Sequence, residues 1–132
     1  MALTGWKDRL IVGHSKIDAD HRKLVDILDQ LEDAVVNHMG LETYGKVLNE
    51  LIASTWAHFA YEEQLMAMHH YPQTEQHKRE HTSLLHEIDV FKTRFDSHAI
   101  TLSSAQLKVL EEWLTLHFMV ADKALAAGIP AN

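Results

Sequence analysis

The 132 residues are 46% hydrophobic and 23% charged, with 5 Gly and 2 Pro. That is enough chain and apolar content for one compact domain with a real core, and the scarcity of helix breakers favours helices over a loop-rich β fold. The absence of cysteine excludes disulfides, thiolate zinc sites, iron–sulfur clusters and cysteine nucleophiles, and it fits a reducing compartment. A formal net charge of -7 without a Lys/Arg cluster argues against nucleic acid as a partner. No apolar run is long enough to insert into a membrane. The stretch Leu10-Ile11-Val12 is too short for a signal-peptide core, so the expected location is cytoplasmic.

Taken in chain order, an irregular arm over 1–17 leads into four amphipathic segments within a single domain, 1–132. The first is expected over about 19–39, with Asp18 as N-cap and Gly40 as its stop. The second covers about 41–70 and ends at Tyr71-Pro72, because proline disfavours helix in the residue before it. The third covers about 73–98. The fourth covers about 104–127, opened by Ser103 with Gln106 three residues on, a capping-box pattern, and closed by Gly128 and Pro130. The fold class expected is all-α: an antiparallel up-down-up-down four-helix bundle.

Each segment carries an inward stripe at three- and four-residue steps. The stripes are His21, Leu24, Leu28, Leu31 and Val35; Leu48, Leu51, Thr55, His58, Glu62 and Leu65; His77, His81, Leu84, Ile88, Phe91 and Phe95; and Leu107, Leu110, Leu114, His117, Ala121 and Ala124. Every stripe is interrupted by histidine. A buried imidazole needs hydrogen-bond partners and a buried carboxylate needs a counter-charge, yet these stripes hold no Lys or Arg. A bound cation answers both needs. His58 and Glu62 lie one helical turn apart, as do His77 and His81. In an alternating bundle the early positions of segments one and three meet the late positions of two and four, so one site can collect them all. Asp122, five residues after His117, is rotated about 140° from it in a regular α-helix. A single π-type widening would return it to the same face.

In order, His21, H-x-x-x-E at 58–62, H-x-x-x-H at 77–81 and H-x-x-x-x-D at 117–122 resemble the hemerythrin family, in particular its single-domain bacterial form. The resemblance spans nearly the whole chain. It includes Trp6, the IDxxH segment at Ile17 to His21, the HFxxEExxM run at His58 to Met66, Tyr71-Pro72 and Trp113. It implies two iron ions, one held by His77, His81 and His117 and the other by His21 and His58. Glu62 and Asp122 would bridge both beside an oxo or hydroxo group. These donors fill all but one of the positions around two six-coordinate ions, leaving one for dioxygen on the ion with two histidines. Leu24, Phe59, Trp113, Leu114 and Phe118 would form a dry oxygen pocket. Ferritin-like di-iron oxidases use about four glutamates and two histidines. A histidine-rich set favours the ferrous ion by comparison, and hence binding over turnover.

The function implied is reversible oxygen binding for carriage, storage or delivery, with at most a weak side oxidase or peroxidase activity. The protein is expected to be a monomer, with an oxygen-consuming enzyme as a candidate partner. The competing readings are an oxygen or redox sensor acting through a separate partner, since 132 residues leave no room for an output domain, a di-iron protein that consumes peroxide or nitric oxide, and an iron store. Asp20 stands where the family usually has glutamine, His14 where it tends to be apolar, and Phe118 where isoleucine is common; none of the three is expected to touch the ligand set. His14, His38, His69, His70, His86 and His98 are expected at the surface or in loops, Glu63 as a solvated charge, and Met66 and Met68 as packing filler.

Overall fold

The computed structural model describes residues 10–130; Trp6 lies outside them. Helices α1 (Ser15–Val36), α2 (Leu41–Met68), α3 (Thr74–Asp96) and α4 (Ser104–His117) are followed by a π-helical turn over Phe118–Asp122 and a last helix, α5 (Lys123–Gly128). The first two helices pack on each other, α3 packs on α2 and α4, and α4 closes the ring against α1. This is an all-α four-helix bundle whose fourth helix continues through the π turn into α5.

The helix ends show which residues stop and start the chain. The first helix begins at Ser15, earlier than its pattern suggests, because His14 and not Asp18 is the N-cap: its Nδ1 accepts from the Ile17 N–H at 3.3 Å. His14 is buried, which corrects its placement at the surface. Asp18 instead folds the preceding segment back, accepting from the N–H groups of Val12 (2.7 Å) and Gly13 (3.2 Å). Ser103 caps α4 by accepting from the Gln106 N–H at 3.3 Å. The other three long-helix exits share one device. His38, His70 and His98 take positive φ values of 51°, 52° and 62°. The N–H of the next residue (Met39, Tyr71, Ala99) then reaches back to the carbonyl of Ala34, Met66 or Arg94, ending the helix in a Schellman motif.

Burial follows the stripes with a few exceptions. Leu84 is only half-buried, Met68 is exposed while Met66 is fully buried, and past the π turn Leu125 is buried where Ala124 had been expected. The buried apolar side chains form two clusters. The larger gathers Leu24, Leu28 and Leu31 of α1, Leu48 and Leu51 of α2, Ile88, Phe91 and Phe95 of α3, and Leu107, Leu110, Leu114 and Phe118. The smaller gathers Ile17, Leu65, Met66, Tyr71, Leu125 and Ile129. Along every helix the histidines and acids of the inward stripe fall between the two. The bundle therefore carries a polar layer between two apolar ones. No described helix is long and apolar enough to cross a membrane.

Candidate metal centre

All seven expected ligands are buried and meet in the polar layer: His21, His58, Glu62, His77, His81, His117 and Asp122. Alternation of helix direction brings early residues of α1 and α3 level with late residues of α2 and α4. The last ligand depends on backbone irregularity. Over Phe118–Asp122 the helix is π rather than α, and the widening turns Asp122 onto the face of His117. Their Nε2 and Oδ1 atoms are 3.0 Å apart.

The two carboxylates divide their oxygens between two groups of imidazoles. Asp122 Oδ2 lies 2.8 Å from His21 Nε2 and 3.3 Å from His58 Nε2, whereas Oδ1 lies 3.1 Å from His77 Nε2 and 3.0 Å from His117 Nε2. Glu62 Oε1 lies 3.1 Å from His77 Nε2 and 2.9 Å from His81 Nε2, and Oε2 lies 3.1 Å from His58 Nε2. One ligand atom from each of Glu62, His77, His81, His117 and Asp122 falls within 4.8 Å of the others, and the same holds for His21, His58, Glu62 and Asp122. Both acids belong to both groups, and the histidines divide three to two.

This donor set fits a pair of cations. The site holds two carboxylates and five imidazoles, with no lysine or arginine among the buried polar residues described. Glu62 Oε2, His117 Nε2 and Asp122 Oδ1 are buried without a hydrogen bond, although nitrogen and oxygen approach to about 3 Å. Such contacts without hydrogen-bond orientation are what lone pairs aimed at common points between the residues produce. Buried polar atoms are rarely left in that state unless an ion completes them.

Outside the cage a second set of groups fixes the rings. His58 Nδ1 donates to Asp20 at 3.0 Å, His81 Nδ1 to Glu63 at 2.9 Å, His117 Nδ1 to Glu80 at 3.3 Å and His21 Nδ1 to the Leu10 carbonyl at 3.2 Å. A carboxylate or carbonyl can only accept, so each Nδ1 carries a proton, which leaves each Nε2 as the nitrogen whose lone pair a metal would take. Asp20 and Glu63 thus contact the ligands, against the expectation for both, and Glu80 is a partner that stripe reading missed. The overlooked signal is adjacency. Asp20, Glu63 and Glu80 each neighbour a ligand in sequence (His21, Glu62, His81), one position off the stripe. From that edge each reaches a histidine of the following helix: α1 to α2, α2 to α3, and α3 to α4.

A family model for the hemerythrin HHE cation-binding domain matches residues 12–127. The chain belongs to the hemerythrin family. It is 33% identical over 132 residues to a bacteriohemerythrin of Stenotrophomonas maltophilia, covering 100% of this chain and 85% of that one. It is 32% identical over 125 residues to one of Pseudomonas aeruginosa, with 92% and 78% covered, and 24% identical over 117 residues to a myohemerythrin of Theromyzon tessulatum, with 89% and 86% covered. A wild-type hemerythrin crystal structure superposes with a TM-score of 0.82 at 23% identity, covering 89% of each chain, and a hemerythrin L114Y mutant with a TM-score of 0.87, covering 97% and 98%; these likenesses speak to the fold. Hemerythrins are oxygen-binding non-haem iron proteins rather than enzymes, and a di-iron centre is the cofactor of the domain.

In this hemerythrin site the cage has the electrostatics of closely packed acids and imidazoles that share protons. Burial opposes charge on His117, but Asp122 beside it prevails and raises its pKa to about 10. Burial likewise opposes charge on His77, and Asp122 and Glu62 together lift it to about 9. Burial would push the Asp122 carboxyl up, yet His117, His21 and His58 hold it well below the usual carboxylate range. For Asp20, burial is outweighed by His58 and Lys16, which keep its carboxyl below the ordinary value.

Two phenylalanines wall the hemerythrin cage directly. Phe118, like Asp20, touches a ligand against expectation: it stacks on the His21 ring, centroids 4.0 Å apart, while Phe59 lies parallel to the His81 ring at 3.9 Å. Leu24 and Leu114 are fully buried in the larger apolar cluster, one turn from His21 and His117. Trp113 is half-buried at the edge of that cluster, edge-on to Phe91 at 6.5 Å. His38, His70, His86 and His98 are exposed and His69 half-buried.

Proposed function

We propose that the chain binds dioxygen reversibly at a di-iron centre for carriage, storage or delivery. His77, His81 and His117 would hold one ion, His21 and His58 the other, and Glu62 and Asp122 would bridge them. The observation that carries this reading is the division of the two carboxylates. Each presents one oxygen to the three-histidine group and the other to the two-histidine group. Two iron ions so held supply Lewis acidity and two electrons for a reversible ligand. With one imidazole fewer, the ion held by His21 and His58 would be the one with room for dioxygen. There Phe118 stacks on His21 and keeps water away, with Leu24, Phe59, Trp113 and Leu114 as the remaining pocket. The five imidazoles are neutral donors, which favours the ferrous state over carboxylate-rich oxidase sites. The lack of cysteine fits a reducing, cytoplasmic setting, and the histidine-rich cage favours oxygen binding over a peroxide or nitric-oxide scavenger or an iron store; on this reading the chain acts as a monomer that hands oxygen to a consuming enzyme rather than as a sensor.

The deciding experiment reduces the protein without air, adds oxygen, removes it again, and counts iron. Two irons per chain and an optical band that appears with oxygen and vanishes on its removal are expected. One iron, or irreversible bleaching, would overturn the reading.

A further inference from the structure

The three outer carboxylates are not equivalent. Glu63 and Glu80 serve the three-histidine group, and their side chains are 36% and 44% exposed. Asp20 serves the two-histidine group and is only 15% exposed. Charge effects are screened least where water is excluded, so Asp20 acts on its imidazole through a lower dielectric than the other two. The other histidine of its group, His21, is oriented by the neutral carbonyl of Leu10. Among the described contacts, Asp20 is therefore the charged outer partner on that side. It also has a partner of its own: Lys16 Nζ lies 2.6 Å from Asp20 Oδ1, one turn back on α1. The ammonium is held over the Tyr61 ring of α2, 5.3 Å from its centroid, which places it on the helix that bears His58.

We propose that Lys16 and Asp20 form a positioning pair that sets the donor strength of His58. Asp20 draws the Nδ1 proton and makes Nε2 a stronger donor, while Lys16 moderates the pull by neutralising part of the Asp20 charge. The two residues act in opposite directions on one bond, although both sit at the same surface of α1. A purely structural strut would not do so, since removing either end would loosen it. The proposal rests on His58 being a ligand of the two-histidine ion, as argued above.

The test challenges the ferrous, iron-loaded full chain with increasing chelator in the absence of air. Wild type should hold two irons and release them in two steps. D20N keeps a hydrogen-bond acceptor but removes the charge. It should weaken the more labile iron about tenfold, in line with the usual effect of losing an outer partner of a metal-bound histidine, and leave the other unchanged. K16M should tighten the same iron, and D20E should restore wild-type retention. In the zinc-substituted protein the Nδ1 proton resonance of His58 should move upfield in D20N and downfield in K16M. Equal weakening by D20N and K16M, or no change in either, overturns the pairing while leaving the two-iron site intact. A wild type that holds fewer than two irons overturns the site assignment itself and the pairing with it.

Discussion

The polar layer and the larger apolar layer are built on the same four helices, yet they are completed in different ways. Leu28, Leu31, Leu51, Leu107 and Leu110 satisfy one another, because burial of apolar surface is non-directional and needs no added component. The polar layer is equally buried, but it keeps Glu62 Oε2, His117 Nε2 and Asp122 Oδ1 without hydrogen bonds. Its backbone bends to the requirement as well, adopting the π turn at Phe118–Asp122. The contrast teaches that the apolar layer specifies the bundle, whereas the polar layer is finished by ions and draws its stability from them.

The largest effect should follow from breaking the polar layer. His117→Ala removes a donor that faces both Asp122 and Glu62. It should lower iron content below two per chain and, with it, the stabilisation that binding contributes by mass action, several kcal/mol for a tightly held ion. His86→Ala, at an exposed position of α3, should change neither iron content nor unfolding midpoint. Metal analysis with thermal unfolding reads both, and equal iron in the two variants would remove His117 from the ligand set.

The apolar layer should respond to truncation without reference to iron. Leu51 is fully buried in it, so Leu51→Ala should cost about 2–5 kcal/mol through lost transfer energy and a residual cavity. The same loss should appear in denaturant unfolding with iron loaded or stripped, and iron per chain should stay constant. A loss seen only in the loaded protein would show that the layers are not independent.

Most of this architecture is legible in the sequence because a regular helix converts spacing into direction. His58 with Glu62 and His77 with His81 are placed by their three-residue gaps, and the Ser103 cap by its box. Asp122 is legible only to a reader willing to place a π turn, because spacing alone turns it away. Reading stripes hides their edges. Glu63 reads as a solvated charge, Asp20 as a bystander to the ligands, and Glu80 draws no notice, since what matters is the helix each one faces rather than the helix each sits on. The start of α1 is misjudged for a related reason. Asp18 has the chemistry of a cap, but its carboxylate is taken by Val12 and Gly13, and His14 serves instead. The three histidines at positive φ are read rightly as lying off the stripes, but their role as helix terminators is not visible, because glycine is the residue that usually marks it.

The smallest predicted effect sharpens the contrast on a single pair of helices. Between α1 and α4 in the polar layer, Asp122 is surrounded by imidazoles and its pKa is depressed. Further along the same pair, Glu111 is half-buried beside Glu32 and Asp29, with Lys108 only partly offsetting them. Burial first, and then those two acids, raise its pKa to about 7. A carboxyl whose folded pKa is raised imposes no penalty below its unfolded value of 4.5. The penalty grows as pH rises toward about 7 and is complete above it. Glu111→Gln should therefore leave stability unchanged near pH 4.5 and raise it at pH 8. Solvent screening limits the gain to about 1 kcal/mol, a few degrees in melting temperature for a chain of this size. Melting curves of both proteins across that range would read the difference. A gain that is equal at both ends would mean that packing, not charge, is what the substitution changes. The acids of the apolar flank would then no longer stand in contrast to those of the cage.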